Sequence, residues 1–319
     1  MEKSVARVLY GQGTSLNLTS RKIKAVPECV FRIKKLSVLQ LNNNSISALP
    51  AELRSLRRLA ELHLGNNALK ELPAVLGHLE SLKKLYLFSN QITVVAPEVM
   101  GGLHNLVVLN LNHNQIQRLP PEIRSLHGLQ HLSLLDNQLE EVPAELGQLT
   151  SLTELNLTSN NLSGLPQQLY QCEELTKLYL ARNKLTSLPE FHLLPLRELH
   201  CEGNRFVRCE PMSAVQDAEV LSLKELVARF VLLEDRIRSS LVHRMLPHYP
   251  ALTALAAAGS CCELCLNPFL TTWLECVHFI SPKKDMKMTS VRVVPVRALL
   301  CSYKCLNTQG HSYYGIATR

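Results

Sequence analysis

The chain has 319 residues, 46% hydrophobic, 5% aromatic and 19% charged, with a formal net charge of +7. That length allows one large domain or two modest ones, and either would bury a proper core. Like charges run no longer than a pair such as Lys283-Lys284, and no uncharged apolar run approaches the ~20 residues of a membrane helix, so neither a strong nucleic-acid footprint nor a membrane span is expected. The first residues lack the apolar core of a signal peptide, which points to the cytoplasm, with the nucleus open, and to ten reduced cysteines. Sequons at Asn17, Asn43, Asn156 and Asn161 carry no weight in that compartment.

From residue 16 onward one pattern recurs. A copy reads Leu59, Leu62, Leu64, Asn67, Leu69, Leu72, Pro73, and another reads Leu152, Leu155, Leu157, Asn160, Leu162, Leu165, Pro166. The asparagine returns as Asn44, Asn67, Asn90, Asn114, Asn137, Asn160, Asn183 and Asn204, at steps of 23, 23, 24, 23, 23, 23 and 21 residues. A degenerate first copy has Leu16, Leu18, Ile23, Val26 and Pro27, with Arg21 in the asparagine's place. This resembles the leucine-rich repeats, and the resemblance implies an α/β solenoid of about nine repeats over residues 1–208, with short parallel strands on its concave face.

The pattern has a mechanical reading. In Leu-x-Leu the leucines point into the coil and the residue between them points out. The asparagine is expected to hydrogen-bond the bare backbone of the turn that follows. The Leu-Pro step ends the extended run, and a segment such as residues 121–126 returns on the convex side. Leucines and asparagines are therefore scaffold, and binding falls to the outward strand positions. Of these, His63, Lys84, Tyr86, Phe88, Asn110, His131 and Tyr179 are the expected partner-binding residues, since aromatics on a rigid sheet supply contact area at little entropic cost. No Ser/His/Asp or paired-carboxylate arrangement is visible, so a protein-binding adaptor is expected and not an enzyme.

Past Asn204 the period stops. Residues 209–221 read as a connector and 222–258 as a helical segment. Ser222 and Glu225 have capping-box spacing ahead of an amphipathic run, a second helical stretch covers about 234–245, Leu246-Pro247-His248-Tyr249-Pro250 interrupts, and an alanine-rich helix follows to Ala258. Ser222 to Val231, Ser-Leu-Lys-Glu-Leu-Val-Ala-Arg-Phe-Val, is similar to the box by which substrate receptors of cullin ubiquitin ligases bind elongin C, and the later Leu-Pro step is similar to an element that follows that box. Val227 replaces the usual small residue, and two residues separate the prolines. The resemblance implies docking through Leu223, Leu226, Val227, Phe230, Leu246 and Pro247, with elongin B, elongin C and a cullin as partners. An ordinary core helix is the alternative.

Residues 259–319 carry Cys262-x-x-Cys265 and Cys301-x-x-x-Cys305, two close pairs that suit a four-cysteine structural zinc site with no open coordination position. Strands over 273–280 and 291–296 complete a zinc-ribbon-like tail. Cys261 could substitute in register, Cys276 and His278 are expected to pack, and Cys29, Cys172, Cys201 and Cys209 have no paired spacing. Lys283, Lys284, Lys287, Arg292 and Arg297 with Tyr303 make a thin basic set, which leaves nucleic-acid binding as a minor alternative. Motifs at 196–204, 273–279, 300–305 and 314–317 resemble a vertebrate leucine-rich-repeat family with a cysteine-paired tail. The leading expectation is an adaptor, in its sharper form a substrate receptor. The rival is a signalling scaffold of the Ras- and phosphatase-associated kind, whose tail only caps the solenoid.

Overall fold

Three-residue strands spaced one repeat apart dominate the computed structural model, which describes residues 8, 10–11, 13–189, 194–207, 221–271, 274–280, 293–306, 308 and 314–315. They are β1 (Ser15–Asn17), β2 (Val38–Gln40), β3 (Glu61–His63), β4 (Lys84–Tyr86), β5 (Val108–Asn110), β6 (His131–Ser133), β7 (Glu154–Asn156), β8 (Lys177–Tyr179) and, after the two-residue β9 (Leu188–Pro189), β10 (Glu198–His200). All but β9 form one nine-stranded parallel sheet in chain order. The central leucines stay in register, Leu62 opposite Leu85 and Leu132 opposite Leu155, and are buried, because only stacked neighbours can cover them.

Each 3-10 return of the repeats follows a proline held extended. Pro50, Pro120 and Pro143, for example, precede the 3-10 helices Ala51–Ser55, Pro121–Ser125 and Ala144–Gln148. The repeat with the 24-residue step instead carries the α-helix α1 (Pro97–Gly102). Its glycine end lies against the preceding return: a Cβ on Gly102 would fall 1.8 Å from the carbonyl oxygen of Gly77.

The asparagine ladder differs from the expectation. Asn90 Oδ1 accepts from the backbone N–H of Leu69 at 3.1 Å, and its Nδ2 donates to the carbonyls of Leu64 and Leu87, each at 3.0 Å. The partners thus lie one repeat back and in the strand just traversed, not in the turn that follows. The cause is the residue before each ladder asparagine, which sits at positive φ (Asn66 +54°, Ser89 +53°, Asp136 +55°, Gly203 +72°) and turns the amide back over the previous coil. Asn44 gives the degenerate first copy the same service, accepting from Ile23 N–H at 3.0 Å.

A second compact unit takes, among the described residues, 186–189, 206–207, 221–271, 274–280, 293–306, 308 and 314–315. Its helices are α2 (Leu223–Asp235), α3 (Leu241–Met245), α4 (Pro250–Ala257) and α5 (Tyr303–Leu306). β11 (Ser260–Cys261) pairs with β12 (Pro268–Phe269), and β13 (Leu274–Ile280) pairs antiparallel with β14 (Val294–Leu300) over seven residues. β15 (Tyr314–Gly315) flanks β13, and β9 joins β14 in parallel. The core gathers Phe269, Leu274, Cys276, Leu299 and Leu300 around three buried cysteines, Cys262, Cys301 and Cys305. All but the last residue of the connector expected at 209–221, and the basic Lys283, Lys284, Lys287 and Arg292, lie outside the described residues. Arg297 stands 3.7 Å from Glu275, and Tyr303 packs on the core. No helix among the described residues is long and apolar enough to cross a membrane.

Candidate functional site

On the concave sheet, strand register pairs the outward side chains. Register neighbours His63 and Tyr86 stack with ring centroids 4.6 Å apart, and Tyr179 stacks on His200 at 5.1 Å. Lys84 Nζ donates to Glu61 Oε1 at 2.8 Å, and that bond holds the Glu61 carboxyl below its ordinary value. Lys177 and His131 both stand 3.6 Å from Glu154 Oε2. Tyr179 donates to Glu198 at 2.9 Å, and burial with that carboxylate pushes its phenol up to about 12. Phe88 lies across Gly65, where a Cβ would come within 2.4 Å of the ring. Asn110 turns its carbonyl to the N–H of Asn112. The sheet therefore presents aromatic ridges between charge pairs that are already internally neutralised.

In the second unit Ser222 caps α2, its Oγ accepting from Glu225 N–H at 3.2 Å. Glu225 does not return the bond, so only half of the capping box forms. Its carboxylate accepts instead from Leu270 N–H at 3.0 Å, Thr271 N–H at 2.7 Å, Thr271 Oγ1 at 2.8 Å and Arg229 Nε at 2.7 Å. Arg229 Nη2 reaches on to the carbonyl of Cys301 at 3.0 Å. Glu225 is the single buried side chain of α2. The apolar residues point outward: Leu223 is 76% exposed and Phe230 60%, with Leu226 and Val227 about half exposed. Leu223, Val227, Val231, Leu252 and Leu255 line a groove of about 450 Å³ between α2 and α4. Of the residues expected to dock, Pro247 is exposed and Leu246 is buried.

Below α2 lie the four cysteines. The sulfurs of Cys262, Cys265, Cys301 and Cys305 all fall within 4.8 Å of one another, with Cys265 to Cys301 at 3.5 Å and Cys301 to Cys305 at 3.6 Å. These separations are far beyond a disulfide bond. Burial, aided by the neighbouring sulfurs, pushes the Cys301 thiol well up, and burial takes Cys305 up to about 11. Cys265, although burial raises it, is brought below its ordinary value by hydrogen bonds from the Asn267 backbone and the adjacent thiols. Cys261 stands outside the cluster and accepts from Arg236 Nη2 at 2.6 Å. Burial raises Cys172 and Cys201 to about 12, as for packing residues. The Glu225–Arg229 link between α2 and the cysteine pocket is not foreseen from the sequence. Its one signal there is an acid and a base four residues apart on an apolar helix.

A nine-stranded parallel sheet stacked on an asparagine ladder defines a repeat solenoid, and the chain belongs to the leucine-rich repeat family, whose model matches residues 14–69, 34–92, 80–139 and 150–206. It is 40% identical over 129 residues to leucine-rich repeat-containing protein 69 of Xenopus laevis, an alignment covering 40% of this chain and 37% of that protein. The chain thus spans well under half the length of that relative. A leucine-rich-repeat protein of Leptospira interrogans superposes with a TM-score of 0.50 at 29% identity, over 66% of this chain and 65% of that one. The plant peptide hormone receptor RGFR1, in complex with RGF2, superposes at 0.51 and 29% identity, over 57% of this chain and 30% of the receptor.

Proposed function

We propose that the protein is a non-enzymatic adaptor that captures one protein on its concave sheet and docks a second through α2. The observation that carries this reading is the outward apolar face of α2, Leu223, Leu226, Val227 and Phe230, on a helix whose one buried side chain is a carboxylate. Contiguous exposed apolar faces mark interaction sites. From Ser222 to Val231 the helix is similar to the elongin box, with Val227 in place of its small residue, so elongin C is the proposed second partner and a ligase substrate receptor the proposed role. The likeness to the peptide hormone receptor RGFR1, in complex with RGF2, supports partner capture. Here Tyr86, Phe88, His63 and Tyr179 are the proposed anchors, with Lys84, Asn110 and His131 around them.

The test is affinity purification from cells, comparing wild type with Leu226→Asp/Phe230→Asp. A proline at Leu223 would be a poor probe, because the first position of a helix tolerates proline. Recovery of elongins B and C with a cullin by the wild type alone, from a variant that stays folded, supports the receptor reading. Absence of elongins from both samples leaves a repeat scaffold whose tail serves as a cap.

Zinc is the proposed occupant of the cysteine cluster. Zinc–thiolate bonds of about 2.3 Å place tetrahedral sulfurs about 3.8 Å apart, and the sulfurs here fit that spacing. Four thiolates complete the coordination shell, so the role is structural.

A further inference from the structure

One strongly charged feature of the repeats stands apart from partner capture. On the edge away from the concave sheet, Lys34, Arg54, Arg57, Arg58 and His78 line a cleft of about 770 Å³ with Ser55, Ser81 and Glu80. Four full cations from adjacent coils thus face a single carboxylate. Elsewhere on the solenoid, cations sit against acids one repeat away, Lys84 on Glu61, Arg118 by Glu141 and Lys177 by Glu154. Among the described residues no side-chain hydrogen bond or ion pair engages Lys34, Arg54, Arg57 or Arg58, and all four are exposed. Gathering like charges without counter-charges costs free energy in the unliganded protein and creates a local field for an anion.

The shape of that field selects among anions. Lys34, Arg57 and Glu80 hold the same register position in successive repeats, and beyond them that position is taken by His104, His127, Thr150 and Glu173. The cationic stretch therefore closes after two coils and turns acidic further along. An extended polyanion such as a nucleic acid needs cations that continue along its backbone. The cleft volume instead lies in the range of small-molecule sites, about 300–1,000 Å³. The arginine forks match phosphate oxygens two at a time, and Ser81 adds a hydroxyl donor. We propose that this cleft binds a soluble, compact molecule carrying several phosphate groups.

Calorimetric titration of the full chain with inositol hexakisphosphate, at physiological salt, tests the proposal. One saturable site per chain is expected, with affinity falling about tenfold or more in Arg57→Glu/Arg58→Glu and in Lys34→Glu/Arg54→Glu. All four positions are exposed, so the variants should melt with the wild type. Arg118→Glu, on a later repeat and outside the cleft, should bind as wild type does. Absence of saturable heat, retained affinity in both double variants, or an equal loss in Arg118→Glu would overturn it. A lipid source for the phosphates is distinguished by sedimentation with phosphatidylinositol bisphosphate vesicles: co-sedimentation that inositol hexakisphosphate does not displace also overturns it, as does tighter binding of single-stranded RNA.

Discussion

Glu225 shows how much one residue can hold. Burial alone would raise its carboxyl, but bonds from Arg229, Thr271 and Leu270 bring it down to about 2. A group depressed in the folded state stabilises fully above its unfolded value and loses that contribution as pH falls through the folded one. The second unit should therefore loosen as pH drops from about 5 to about 2, by about 3 kcal/mol from this group. Hydrogen exchange at the amides of Leu270 and Thr271 should report the change. In Glu225→Gln those amides should exchange faster already at neutral pH and lose their acid dependence. A wild-type exchange profile in the variant would show that the carboxylate is not what ties α2 down. The sequence disclosed Ser222 as a cap because a cap is local. It misassigned the Glu225 side chain because the competing donors of Leu270 and Thr271 are 45 and 46 residues away, and with Arg229 they give a buried carboxylate four bonds in place of one.

At the scale of elements, periodicity disclosed the strands, the returns and the inward leucines, since each is dictated within a single repeat. It disclosed the extra residue between Asn90 and Asn114 but not its consequence, one α-helical turn in place of a 3-10 turn. Two adjacent glycines in that helix should respond oppositely to the same change. A Cβ on Gly102 meets the Gly77 backbone, which cannot rotate away, so Gly102→Ala should cost about 1–3 kcal/mol as the returns are forced apart. A Cβ on Gly101 meets nothing within 4 Å, and Gly101→Ala should gain about 0.5–1 kcal/mol from helix propensity. Thermal unfolding of the two variants checks the pair, and equal shifts would refute the close approach. The same local logic explains the break in the helix expected over 234–245. Ser240 caps α3 by accepting from Val242 N–H at 3.2 Å while its hydroxyl donates to Glu234 at 2.8 Å, which ends one helix and starts another. Periodicity could not foresee it because both halves keep their apolar spacing.

Across the whole molecule the two units are stabilised by different physics. The repeats bury leucine against leucine and bridge every coil with an asparagine, and each such contact is made by the chain alone. The second unit packs a handful of apolar side chains around its cysteines, and burial pushes the thiols of Cys301 and Cys305 up, against ionisation. A divalent cation reverses that balance: it favours thiolate at every ligand, and in small modules its binding contributes roughly 10 kcal/mol or more to folding. The cysteine spacing was legible because two close pairs are a local pattern, whereas their convergence depended on β13 and β14 pairing over seven residues. Metal analysis of the purified chain should find about one zinc per molecule. Chelation, Cys262→Ser or Cys301→Ser should unfold the second unit, expose the amides of β13 and β14 to exchange, and leave the circular dichroism of the repeats in place. Because the ligands must lose protons to bind, acid should release the metal before it melts the repeats. A chain free of metal whose β13–β14 amides stay protected would show that thiol packing alone holds this unit together, and would remove zinc from the account of how α2 is presented.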